Sequence, residues 1–184
     1  MPAAKLPATM TPAAEIHPFM SSKRRSFETG HRPKFMVVVD ETPECDRAAY
    51  FAGRRAARTG ASLLMLAAVS PPDNFEWVGV GEAMLAEATA DAEDQLEAAA
   101  AKVRTAIGVD PEKVIRIGTK AEEIVKMIEA DEDISFLVLA AGTGTEGPGP
   151  LVSTIAGKAA ATFPIPVVIV PGGLSDEEID ALAG

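Results

Sequence analysis

Short, continuously apolar runs alternate along the chain with stretches in which apolar residues recur every three or four positions. Phe35-Met36-Val37-Val38-Val39 has no polar side to present, the pattern of a parallel strand covered on both faces. Cys45, Ala48, Ala49, Ala52 and Ala56 follow at helical spacing, predicting a helix over 44–59 that Gly60 stops. Further strands are predicted over 62–69, 113–117, 135–140 and 166–170. A long helix of about 25 residues carries the stripe Leu85, Ala88, Ala92, Leu96, Ala99, Val103 and Ile107, and shorter helices fall over 120–130 and 151–162. Strands alternating with helices require parallel pairing through right-handed crossovers, so the pattern predicts an open parallel sheet with helices on both faces.

This pattern fills residues 34–171. The first 33 residues hold Pro2, Pro7, Pro12, Pro18 and Pro33 without apolar periodicity and read as a flexible tail, whose Lys23-Arg24-Arg25 cluster reads as a solvated charge run, with docking on a partner or on the protein's own acidic surface as the alternative. Residues 172–184 form an acidic C-terminal tail. There Ser175 and Glu178 stand in capping-box spacing, predicting one short helix outside the sheet.

Hydrophobic residues make up 47% of the 184, enough for a real core. No apolar run approaches the roughly 20 residues that span a bilayer, so no membrane association is expected. The net charge is −10; residues 1–33 carry five basic side chains against Glu15 and Glu28, which leaves the remainder at −13. A body that acidic repels phosphate backbones, and no nucleic-acid partner is expected. One cysteine permits no intramolecular disulfide, and a cytoplasmic location is the default. Both histidines, His17 and His31, precede the patterned region. Neither a Ser-His-Asp triad nor a histidine metal site is therefore expected in the body, and the reading is against an enzyme.

Three stretches together carry a family resemblance. The first strand ends Val37-Val38-Val39-Asp40 and runs through Glu41-Thr42-Pro43 into an alanine-rich helix. The third strand leads into Gly118-Thr119-Lys120-Ala121-Glu122-Glu123-Ile124. The fourth ends Leu139-Ala140-Ala141-Gly142 before a glycine-rich loop, Ser153-Thr154-Ile155-Ala156, and finally Phe163-Pro164-Ile165-Pro166-Val167-Val168-Ile169-Val170. Over residues 34–171 the chain resembles the universal stress proteins. The resemblance implies a Rossmann-like fold of the adenine nucleotide alpha hydrolase kind: five parallel strands in the order 3-2-1-4-5, with a homodimer formed through the last strand, Pro166 to Val170.

One branch of that family binds ATP through a G-x2-G-x9-G-[ST] pattern after the fourth strand and an aspartate at the end of the first. Asp40 matches the aspartate, and Ser153-Thr154 matches the final pair. Ala140 stands at the first glycine and Thr143 at the second, flanked by Gly142 and Gly144, so the motif is degenerate. The implied role is a stress-response binding or regulatory module with a degenerate adenine-nucleotide crevice. The alternatives are an ATP-binding protein with slow hydrolysis and a dimeric scaffold that binds no nucleotide.

Topology independently points to the same place, because ligands of open parallel sheets bind beyond the strand ends where the strand order reverses. Asp40 and residues 140–144 are expected to face one crevice there. Ser153 and Thr154 either donate hydroxyls to a phosphate or cap their helix, and Asp40 either holds a base or ribose or caps a turn. The segment 142–151 has no Lys or Arg, carries Glu146, and lacks backbone donors at Pro148 and Pro150, so a triphosphate is expected to bind weakly unless Mg2+ compensates. Lys158, the nearest cation, reads as a solvated helix charge. Gly142-Thr143-Gly144-Thr145-Glu146-Gly147 satisfies a dinucleotide fingerprint in letters only, since Pro148-Gly149-Pro150 postpones the helix and no acidic residue ends the next strand. The expected ligand is ATP or AMP. Cys45 reads as a core residue with a redox role as the alternative, and Phe75 and Trp77 as packing over a loop or covering a ligand.

Overall fold

The computed structural model describes residues 23–71, 78–157 and 161–184, with the backbone alone at 78–80. Phe75, Trp77 and Lys158 lie outside the described residues. The elements run β1 (Lys34–Val38), α1 (Cys45–Thr59), β2 (Ser62–Val69), α2 (Val78–Ile107), β3 (Glu112–Ile117), α3 (Lys120–Ala130), β4 (Ile134–Ala141), α4 (Pro150–Ala156), β5 (Val167–Pro171) and α5 (Asp176–Leu182). All four strand pairings are parallel, in the order β3-β2-β1-β4-β5. The expected open sheet is the one observed.

Alternation along the central strands builds two cores. Phe35, Val37 and Val39 join Leu63 and Met65 beneath Ala48, Ala52 and Ala56 of α1 and Leu96, Ala100 and Val103 of α2. On the other face, Met36, Val38, Leu64 and Leu66 meet Ile124 and Ile128 of α3 and Val152 and Ile155 of α4. Small residues let α1 lie close to its neighbours. At Gly53 a Cβ would fall 2.8 Å from Ile107 and 2.9 Å from Val103, so only glycine fits between α1 and α2 without a shift. Gly60 ends α1 in the left-handed region at φ 72°, as its position after the last periodic residue required.

Two helices differ in length from the pattern. α2 reaches 30 residues because it begins at Val78, well before the first residue of its apolar stripe at Leu85. α4 stops at Ala156 instead of Thr162, where Gly157 leaves helical geometry at φ −89°, ψ −102°.

Residues 23–33, read from sequence as part of a flexible tail, are held against the α3–β4 turn. The Arg24 guanidinium donates to the carbonyls of Ile128 (2.5 Å) and Asp131 (2.9 Å), satisfying the first at the end of α3 and adding to the Ile134 amide on the second. The Arg25 amide donates to Glu132 O, and His31 pairs with Asp133 at 2.7 Å. Ser26 is buried. The basic cluster thus docks on the protein's own acidic run Asp131-Glu132-Asp133. At the other end α5 starts with the predicted capping box of Ser175 and Glu178 and lies outside the sheet on α1. Ile179 and Ala183 are fully buried there, Arg47 pairs with Asp176, and Arg54 forks onto Asp180, which also accepts from the Tyr50 hydroxyl at 3.0 Å.

Removing the Arg24 side chain takes the donor from Ile128 O and one of two donors from Asp131 O. Arg24→Ala is expected to lower stability by about 1–2 kcal/mol, read as a lower urea midpoint at unchanged slope.

Candidate functional site

The strand order reverses between β1 and β4, where Val37 lies opposite Val138 and both strands end at one edge of the sheet. Asp40 leaves β1 at this edge and closes a turn: its Oδ1 accepts from the Thr42 amide (3.1 Å) and hydroxyl (2.6 Å). Its Oδ2 accepts from Lys120 Nζ at 2.9 Å, across from the first turn of α3. Burial raises the Asp40 pKa, but the hydrogen bonds from Thr42 and the charge of Lys120 outweigh it and hold the carboxyl below its ordinary value. Asp40 is therefore an anion with a fixed direction.

Beside this pair lies a cavity of about 270 Å³ walled by Val39, Ala67, Val69, Ala88, Asp91 and Gln95, with Asp40 and Lys120 at its polar side. Its size follows from the alanines, since Ala67 at the end of β2 and Ala88 and Ala92 on α2 leave the space that larger side chains would fill. Small apolar residues interspersed with polar ones, Glu41, Ser70, Asp91 and Gln95 besides the Asp40–Lys120 pair, suit a sugar or a polar heterocycle.

A second, open depression of about 600 Å³ lies over the loop after β4, bounded by Gly144, Thr145, Glu146, Gly147, Gly149, Pro150 and Ser153. Gly147 (φ 93°) and Gly149 (φ 95°) hold left-handed conformations that let the loop fold back. Folding back consumes donors: the Gly142 amide bonds Pro148 O, and the Gly147 amide bonds Gly144 O. The Ser153 hydroxyl donates to Gly149 O (2.9 Å) and the Thr154 hydroxyl to Pro150 O (2.8 Å), both within α4, which neither caps the helix nor leaves those donors for a ligand.

The predicted residues divide accordingly. Asp40 and Gly142 end adjacent strands, Gly144 and Ser153 border the second depression, and the Thr143 methyl lies over Gly172 and Gly173. Ala140 is half-buried in β4 opposite Val170 and packs into the core. Thr154 departs from the expectation: it lines an apolar hollow between α3 and α4, with Val125, Ile155 and Phe163. Ser153 and Thr154 are adjacent in sequence and so about 100° apart around a helix, which keeps them from sharing a face.

Sequence reasoning missed Lys120, Gln95 and Glu44. Lys120 stood inside the quoted Gly118–Ile124 motif, yet only the approach of α3's first turn to β1 turns it toward Asp40. Glu44 is half-buried near Gly142, where a Cβ would fall 2.9 Å from its Oε1. Cys45 is buried, its thiol donating to Val38 O at 3.7 Å, and burial pushes its pKa up to about 11, which opposes the thiolate that redox chemistry needs. Among the described residues no group of three or more His, Cys, Asp or Glu side chains is arranged to hold a metal, and no helix is long and apolar enough to cross a membrane.

An open five-stranded parallel sheet with a crevice at its reversal point defines a small Rossmann-like binding domain. The universal stress protein family model matches residues 31–171, and the chain belongs to that family. Among solved structures, universal stress protein UspA from Lactobacillus plantarum aligns with a TM-score of 0.64 at 20% identity, covering 75% of this chain and 97% of that one. The universal stress protein from Archaeoglobus fulgidus in complex with dAMP aligns at 0.54 and 16% identity, over 75% and 97%. A universal stress protein family protein from Arabidopsis thaliana with AMP bound aligns at 0.50 and 21% identity, over 79% and 94%. None of the curated proteins matches.

If the Lys120 pair holds Asp40 ionised, Lys120→Met leaves burial less opposed, and the Asp40 pKa is expected to rise. Carboxyl 13C NMR titration checks this; an unchanged midpoint would mean the pair does not form in solution.

Proposed function

We propose that the protein is a cytoplasmic stress-response binding module whose crevice takes an adenine nucleotide without turning it over. The observation that carries this reading is the small-residue cavity over the ends of β1 and β2, beside the reversal point, with the Asp40–Lys120 pair fixed at its side. Asp40 offers an acceptor to a ribose hydroxyl or base amine, and Lys120 and Gln95 offer donors. The dAMP complex of the Archaeoglobus relative and the AMP complex of the Arabidopsis relative support this class of ligand.

The phosphate end is less well provided. Glu146 borders it, two loop amides and two hydroxyls are already engaged, and α4 is only seven residues long. Binding at the micromolar level or weaker follows, about −8 kcal/mol or less favourable, with Mg2+ needed for ATP. Calorimetry with AMP and ATP, with and without Mg2+, is expected to give heat with AMP and Mg2+-dependent heat with ATP. Glu146→Lys should tighten ATP more than AMP because Coulomb attraction grows with ligand charge. No heat from either nucleotide, in wild type and variant alike, would leave a scaffold that binds no nucleotide.

The same module is proposed to act as a homodimer. β5 pairs only with β4, so its other edge presents unpaired backbone groups, and Ile169 is 40% exposed. Ile169→Lys is expected to give a monomer by light scattering, and an unchanged oligomer would place the interface elsewhere.

A further inference from the structure

Glu44 precedes α1 without capping it: its side chain makes no hydrogen bond to the helix's first turn. Among the described residues its carboxylate has no hydrogen-bond or ion-pair partner, although it is only half exposed. Its position is set by close packing on two glycines. A Cβ at Gly172 would fall 2.7 Å from Glu44 Cβ, and one at Gly142 would fall 2.9 Å from Glu44 Oε1 and 3.3 Å from Gly147 O. Glycine at both places therefore lets the carboxylate lie against Gly142, at the start of the loop that follows β4.

The nearest cations are occupied elsewhere. Arg47, one turn along α1, is drawn to Asp176 and to the Leu174 carbonyl by the C-terminal segment. Lys120 is paired with Asp40. The segment that clasps Arg47 and covers Glu44, residues 172–176, lies beyond the end of the family domain at residue 171. Glu146 adds a second negative charge on the far side of the loop.

We propose that Glu44 sets the ligand preference of the crevice: its unpaired carboxylate against Gly142 weakens binding of metal-free polyphosphate and favours adenine nucleosides and monophosphates. This rests on the adenine-nucleotide reading above and adds to it a residue that selects by phosphate number. A ligand whose base and sugar lie in the cavity beside Asp40 must run its phosphates past Glu44 to reach the glycine loop. Each added phosphate brings a further negative charge close to a fixed one, and the repulsion is screened by solvent and salt.

The test uses the whole chain and three probes: adenosine, AMP and ATP, titrated without metal into wild type, Glu44→Gln and Glu44→Ala. Wild type is expected to bind adenosine and AMP more tightly than ATP, with the difference shrinking between 50 and 300 mM salt, values chosen to shorten the screening length about twofold or more. Glu44→Gln keeps the shape and removes the charge. It is expected to tighten ATP about tenfold and AMP less, and to leave adenosine within about twofold, the size of effect one unit charge at several ångströms has in a partly solvated site. Glu44→Ala should show the same order, and melting curves within a few degrees of wild type confirm that both variants fold. If adenosine binds but the ATP-to-adenosine ratio is the same in wild type and Glu44→Gln, or all three ligands shift equally, Glu44 does not select by charge and the proposal falls while the nucleotide reading stands. If none of the three binds to any of the proteins, the nucleotide reading falls and takes this proposal with it.

Discussion

β1 is the constraint on which the rest of the molecule depends. It is the central strand of the five, with a neighbour on each side and a packed helix layer on each face, and Met36 and Val37, adjacent in sequence, are both fully buried in opposite cores. A polar residue anywhere in Phe35–Val39 would place an unpartnered group in one core or the other. The first place the strand can turn polar is therefore its exit, and that residue is Asp40. The end of β1 is also where the direction of winding changes, so no crossover helix covers it, and the crevice exists because the sheet is wound outward from this strand in both directions.

Electrostatics then shape what that crevice can do. The chain is strongly acidic, yet its arginines are concentrated where they hold the two terminal segments: Arg24 and Arg25 on the α3–β4 turn, Arg47 and Arg54 on α5. Exposed pairs of this kind contribute little singly, but the terminal segments also bury Ser26, Ile179 and Ala183, and it is the burial that anchors them. With those cations committed to the termini, the crevice keeps one described lysine beside Asp40 and several carboxylates without partners. On the proposed reading, the cavity beside Asp40 serves the nucleoside and the loop after β4 is electrically unfavourable for phosphate.

The segments flanking the family domain are joined to the crevice through packing. Gly172 leaves β5 with its amide on Ala141 O, at the end of the strand that feeds the glycine loop, and it covers Glu44 from the other side. The C-terminal helix and the mouth of the crevice therefore share one stretch of backbone. Movement of α5 on α1 would be felt at Glu44 and Thr143 before it reached the cavity at Asp40.

The strand–helix alternation, the two-faced burial of β1, the stop at Gly60 and the capping box at Ser175 were all legible in the sequence. Each depends on residues within a few positions of one another, whose spacing reports directly on period and local turn. Asp40 as a crevice residue was legible for the same reason, as the first polar position after a buried strand. The tertiary structure alone decided the rest. Lys120 meets Asp40 across 80 residues of chain, the Arg24 cluster finds its carbonyls more than 100 residues away, and Glu44 lies against Gly142 only because β1 and β4 are neighbours. Ser153 and Thr154 show the limit most clearly: the same two hydroxyls suit a phosphate site or a helix interior, and the turn of α4 sends one toward the loop and the other toward the hollow beside α3. Local pattern determines which elements form, whereas a site assembled from the ends of several elements depends on the angles at which they pack, and no short stretch of sequence carries those angles.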